Sequence, residues 1–126
     1  MKKILIVEDD EDISNAMAIR LRASGFKVLV AHDALTGMTL ALSERPDLAV
    51  LDISMPGGNG FQLSDSMNDL PPLANIPVIF VTASKRPHLR EQAEGCGAVG
   101  FFEKPYDSVE LLGLIDRVLG LEANSF

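Results

Sequence analysis

The sequence predicts an α/β domain: a doubly wound, five-stranded parallel sheet with five helices in a (βα)5 order. Two observations carry that prediction. Short apolar runs recur at Ile4–Val7, Val28–Ala31, Leu48–Leu51, Val78–Val81 and Val99–Phe102, continuous rather than alternating. Strands that are covered on both faces read this way. Between the runs lie stretches with apolar residues at helical spacing, and repeated βα units close into one sheet through right-handed crossovers.

The elements follow in order. Behind the first run come Glu8, Asp9, Asp10, Glu11 and Asp12, then a helix with Ile13, Met17 and Leu21 at four-residue spacing that stops at Gly25. The second strand leads to a helix from about Ala34 to Ser43, ended before Pro46. The third strand runs into Asp52 and then Met55-Pro56-Gly57-Gly58, a turn that neither helix nor strand continues. The next helix places Leu63, Met67 and Leu70 on one face, and a short, weakly amphipathic one spans about Pro87 to Glu94. After the fifth strand, Asp107-Ser108-Val109-Glu110 has the pattern of a capping box and opens a helix with Leu112, Ile115 and Leu119. Residues 1–121 are expected to form one domain, with 122–126 a short C-terminal tail that frays.

Composition narrows the function classes. The 126 residues are 47% hydrophobic and 23% charged, which suits one soluble domain with its own core. Net charge is −7, from 18 acids against 11 bases. That disfavours direct contact with nucleic acid or anionic lipid, both of which need a basic patch. No apolar run approaches a membrane span, and the two lysines at the N-terminus precede no signal-like core, so a cytoplasmic location is expected. Cys96 has no partner for an internal disulfide and no zinc-like spacing to His32 or His88.

In open parallel sheets, ligands bind outside the carboxyl ends of the strands. At those ends this chain carries Glu8, Asp9 and Asp10; Asp52; Thr82, Ala83 and Ser84; and Lys104 followed by Pro105. Carboxylates converging on one edge repel each other unless a cation sits among them, and oxygen donors of this kind suit Mg2+, or Mn2+. Taken alone, Glu8 to Glu11 reads equally well as a solvated acidic turn at a helix N-terminus. Lys104 alone reads as a surface lysine, and Thr82 as a hydroxyl capping the next turn. Their joint occurrence favours chemistry. Asp52 is then the candidate nucleophile for phosphorus, since a carboxylate with its charge offset by a metal can form an acyl phosphate. Lys104 and the Thr82 hydroxyl would hold the phosphoryl oxygens, and Ala83 would leave room for the group to enter.

The segments "KILIVEDD", "LDISMPGGNGF", "IPVIFVTA" and "FFEKP", in that order and spacing, resemble the receiver domain of two-component response regulators, in the superfamily of chemotaxis regulators. The resemblance covers essentially the whole chain and implies a flavodoxin-like fold. It implies that Asp52 is phosphorylated and ligates Mg2+, with Asp9 a direct ligand, Glu8 acting through water, and the Ser54 backbone carbonyl completing the protein donors. It implies that Thr82 and Lys104 contact the phosphoryl group, that the Lys104–Pro105 peptide is cis, and that Phe101 holds the aromatic switch position. Phosphorylation would draw Thr82 inward, let the ring follow, and remodel the face of helix four, strand five and helix five.

The implied partners are a histidine kinase or histidine phosphotransfer domain and a downstream effector protein, with a phosphorylation-dependent dimer as a further assembly. Membrane and nucleic acid are not among them. Catalysis would be limited to the domain's own phosphorylation and dephosphorylation, so it is not expected to be an enzyme acting on other molecules. The chain departs from the commoner pattern in having Phe rather than Tyr at 101, Asp33-Ala34 where Asp-Gly is usual, and no acid in "GAVGFF". Ser54 and Ser84 stand where family members tune the lifetime of the phosphoryl group.

Four other readings compete. A stand-alone phosphorelay intermediate shares all of this chemistry. A phosphatase of the haloacid-dehalogenase type would want a second acid at position 54, where Ser54 stands, and a cap insertion. A dinucleotide or flavin module would want a Gly-rich phosphate loop where the chain has acids. A degenerate receiver used only for protein contacts would have lost chemical positions that are filled here.

Overall fold

The computed structural model describes residues 1–55 and 58–121. Along the chain come β1 (Lys3–Val7), α1 (Glu11–Ala23), β2 (Lys27–Ala31), α2 (Ala34–Glu44), β3 (Leu48–Asp52), α3 (Gly60–Asn68), a 3-10 turn (Pro71–Leu73), β4 (Val78–Thr82), α4 (Leu89–Gly95), β5 (Gly100–Glu103) and α5 (Ser108–Leu119). Between β3 and α3, Ser54–Met55 pairs antiparallel with Gly58–Asn59. The main strands form one parallel sheet in the order β2-β1-β3-β4-β5. The doubly wound (βα)5 expectation is met.

Alternation along each strand divides the core between the two faces. Leu5, Val7, Leu51 and Phe80 pack with Leu63 and Met67 of α3 on one side. Ile4, Ile6, Val50 and Ile79 pack with Met17 and Leu21 of α1 and with Leu111 and Ile115 of α5 on the other. Every residue of β3 and β4 is buried, which is why their sequences read as unbroken apolar runs. Register then sets the site: Val7 lies beside Leu51, Asp52 beside Val81, and Thr82 beside Glu103. The ends of β1, β3, β4 and β5 therefore share one edge.

Several details differ from expectation. The full capping box is at α3, where Asn59 accepts from the Gln62 amide at 2.9 Å and Gln62 Oε1 accepts from the Asn59 amide at 3.1 Å. At α5, Asp107 caps the Val109 and Glu110 amides, with no reciprocal bond from Glu110 among the described residues. Leu111 is buried beside Ile115, and Leu112 and Leu119 pack partly buried against the same core. Leu70 lies beyond the end of α3, because Pro71 follows, and still packs partly buried on the core. Helix α4 starts at Leu89, not Pro87, since His88 before it is left-handed at φ 71°. Strand β5 starts at Gly100, leaving Val99 outside it. Pro56 and Gly57 of the turn and the tail 122–126 lie outside the described residues. No helix among the described residues is long and apolar enough to cross a membrane.

Candidate functional site

Glu8 leaves β1 almost wholly buried, with 1% of its surface exposed. Its amide donates to the Ala31 carbonyl at 2.9 Å, and its own carbonyl lies 2.9 Å from His32 Nδ1. Both contacts fix the backbone so that the side chain turns inward, where Oε2 accepts from the Asp10 amide at 3.1 Å. Asp52, at the end of β3, is 3% exposed. Its Oδ1 accepts from the Ser54 amide at 3.1 Å and its Oδ2 from Lys104 Nζ at 3.1 Å. Lys104 Nζ also donates to Glu8 Oε1, so one ammonium bridges two buried carboxylates. The lysine is delivered from β5 by its own amide, which donates to the Thr82 carbonyl at 2.8 Å, and the Lys104–Pro105 peptide is cis.

Asp9 is exposed at the mouth, and carboxylate oxygens of Glu8, Asp9 and Asp52 all lie within 4.8 Å of one another. Three carboxylates against one ammonium leave an uncompensated negative site built from hard oxygen donors. That donor set fits a divalent ion such as Mg2+.

Burial pushes the Glu8 carboxyl up to about 7, helped by its hydrogen bond with Asp52, against the opposing pull of Lys104 and the Asp10 amide. For Lys104, burial is the largest single influence and favours the neutral amine. It is outweighed by the hydrogen bond to Glu8 and the charges of Asp52 and Glu8, which together hold the ammonium above its ordinary range. A pH dependence follows. A cation entering the site must displace the proton that Glu8 carries below about pH 7. Magnesium affinity is therefore expected to weaken as pH falls through 7, by up to about tenfold per unit, and to level off above it. Calorimetric titration at about pH 6 and about pH 8 checks this, with Glu8→Gln flattening the profile. An affinity constant across that interval would contradict the role of Glu8.

Gly60 is a site residue that the motif reading passed over. Its amide donates to the Ile53 carbonyl at 3.0 Å, and a Cβ there would stand 2.5 Å from the backbone oxygen of Asp52. Only glycine lets the first turn of α3 close on the end of β3. Gly60→Ala is expected to cost about 1–3 kcal/mol in denaturant unfolding and to weaken metal binding, by displacing Asp52. Unchanged stability would mean that the turn relaxes freely.

Thr82 comes to the same edge, fully buried, with its hydroxyl accepting from the Ser84 amide at 3.0 Å. Ala83 is exposed and lines a groove of about 420 Å³ with Lys104. Phe101 stands apart from the carboxylates. It is half-buried beside Phe80 in register, with the Arg90 guanidinium 4.7 Å from its ring centroid.

Residues 4–116 match the response regulator receiver domain family. The chain belongs to that family. Protein PilH of Pseudomonas aeruginosa is 35% identical over 119 residues, covering 94% of this chain and 98% of PilH. RpaA of Synechocystis, a DNA-binding dual master transcriptional regulator, is 34% identical over 119 residues, and ycf29 of Pyropia yezoensis, a probable transcriptional regulator, is 35% identical over 117. They cover 94% and 93% of this chain respectively, which spans about half of each of them, 49% and 53%. Among solved structures, chemotaxis protein CheY4 of Vibrio cholerae superposes with a TM-score of 0.86 at 26% identity, covering 94% of this chain and 98% of that one. A CheY-like receiver domain from Methanospirillum hungatei gives 0.86 at 28%, covering 98% of each. This receiver domain of two-component signal transduction thus brings Glu8, Asp9, Asp52 and Lys104 together and meets Ser54 through its amide, while Thr82 ends β4 at the same edge and Phe101 stands apart on β5.

Proposed function

We propose that this receiver domain accepts a phosphoryl group on Asp52 from a phosphohistidine of a histidine kinase or histidine phosphotransfer domain. What supports the reading is one arrangement: a buried Asp52 with one oxygen on Lys104 and the other on the Ser54 amide, beside two further acids. A carboxylate oxygen of Asp52 attacks phosphorus, the P–N bond of the donor breaks, and its electron pair stays on the imidazole, which leaves as the neutral ring or takes a proton from solvent. Mg2+, held by Asp9, Asp52, the Ser54 carbonyl and, through water, Glu8, supplies the charge that offsets the phosphoryl oxygens when bound. Lys104 turns its ammonium to those oxygens, and Thr82 exchanges the Ser84 amide for one of them. Exposed Ala83 keeps the approach open.

Movement of Thr82 then lets Phe101 follow and alters the face of α4, β5 and α5, where a downstream effector or a second receiver reads the state. The domain catalyses its own phosphorylation and dephosphorylation and no reaction of other molecules, in the cytoplasm. Passing the group onward as a relay intermediate uses the same residues.

Incubation with a small acyl-phosphate donor and Mg2+ tests the reading. One hydroxylamine-labile phosphoryl group per chain is expected, mapping to the peptide that holds Asp52. Label on another residue, or steady hydrolysis of phosphomonoesters, would overturn it.

A further inference from the structure

We propose that Arg90 is a positioning residue which, with the Lys85–Glu103 ion pair, latches Phe101 in its half-buried resting place and so sets how readily the receiver switches. The inference rests on the reading of Phe101 as the switch residue. Two observations carry it, both on the segment that follows Thr82.

The first is the cover on the ring. Phe101 is half-buried on β5, and Arg90, in the opening turn of α4, lays its guanidinium 4.7 Å from the ring centroid. A phenyl ring has no hydroxyl to anchor it, so its face is what a neighbour can hold, and an arginine does so by charge and stacking. Helix α4 is itself lightly moored: it has seven residues, buries only Leu89 and Ala93, and follows a left-handed His88 with no side-chain cap. Arg90 therefore adds to Leu89 and Ala93 in tying α4 to β5.

The second is the ion pair one pleat further along. Glu103 lies on the same side of β5 as Phe101, two residues on, and its Oε2 is 2.7 Å from Lys85 Nζ. The hydrogen bond from Lys85 holds the Glu103 carboxyl below its ordinary range, and the Arg90 charge adds to the effect. Arg90 thus acts on both the ring and the carboxylate. Lys85 belongs to the loop whose Ser84 amide rests on the Thr82 hydroxyl at 3.0 Å, and Ser84 Oγ in turn accepts from the Arg86 amide at 3.2 Å. The loop that feels Thr82 move is the one that clasps β5.

The latch opposes the switch. When Thr82 gives up the Ser84 amide, the loop shifts, Lys85 is pulled from Glu103, and the ring leaves the guanidinium. Each contact is exposed and individually weak, so phosphorylation can break them. Their loss shifts the resting balance by a modest factor.

The test uses the full chain with fluorinated phenylalanine, the Phe101 resonance being assigned by Phe101→Leu. Inward and outward ring populations are read by 19F NMR, with and without beryllofluoride and Mg2+ as the phosphoryl mimic. Without the mimic, Arg90→Ala is expected to raise the inward fraction about two- to fivefold. Arg90→Lys should restore part of the wild-type balance, and Glu103→Gln should give a smaller rise. If the wild-type ring responds to the mimic but Arg90→Ala leaves the resting balance unchanged, the latch is wrong. If the wild-type ring ignores the mimic, Phe101 is no switch and both readings fall.

Discussion

Asp52→Asn is expected to abolish phosphoryl uptake while leaving the fold in place. The substitution keeps the shape, and the amide oxygen can still accept from Ser54, whose N–H lies 3.1 Å from Oδ1 in the wild type. An amide is not a nucleophile towards phosphorus, however, and removing the group that forms the covalent bond costs about four to six orders of magnitude in rate. A second effect distinguishes this from general damage. Asp52 raises the Glu8 carboxyl by a hydrogen bond and by its charge, in addition to the larger influence of burial. With Asp52 neutral, Glu8 should titrate lower, below about 7, and Mg2+ should bind more weakly for want of one charge. Phosphoprotein mass spectrometry after exposure to an acyl phosphate reads the first effect, and NMR titration of Glu8 reads the second. Wild-type uptake by the Asn variant would place the nucleophile elsewhere.

Lys104→Ala carries the other large effect, on both chemistry and stability. The ammonium is the only described cation in contact with Glu8 and Asp52. Removing one partner of a buried ion pair costs about 3–5 kcal/mol when the other is stranded as a charge. Here the cost is smaller, about 2–3 kcal/mol, because Glu8 already binds a proton near pH 7 and can shed its charge that way. Denaturant unfolding at neutral pH, free of divalent ions, should show the loss. Mg2+ should stabilise the variant more than the wild type, since a bound cation replaces the missing charge. Phosphoryl uptake should fall by about 10²–10³, the scale for one charge-stabilising donor. Equal stabilisation of both proteins by Mg2+ would mean that Lys104 is not the counter-charge of the pair.

Much of this was legible in the sequence because burial on both faces leaves little choice of residue. Strands β3 and β4 are buried throughout and read as unbroken apolar runs. The site acids, threonine and lysine were legible because a parallel sheet puts every strand's carboxyl end at one edge, so their order along the chain gave their neighbourhood. Contacts made across the fold were not legible. Gly60 looks like an ordinary turn residue until α3 is seen closing on the Asp52 carbonyl. Arg90 and Phe101 sit on different elements, and nothing in their spacing says that one covers the other. A local pattern misled at Asp107–Glu110, where the side chain caps the helix with no reciprocal bond, while Asn59–Gln62 closes both bonds of a capping box.

Lys104 and Glu8 meet across 96 positions of sequence. The acids of the pocket leave the ribosome before the ammonium, so while the intervening strands are made the carboxylates have no Lys104 among them. Strand β5 joins only at the sheet's edge, beside β4. A contact of such long range forms only after the intervening chain has paid its loop-closure entropy. Competence to carry a signal is therefore a property of the finished domain. A chain that ends before Lys104 holds the acids of the site without the ammonium that bridges them, and is expected to take up phosphoryl more slowly than the finished domain.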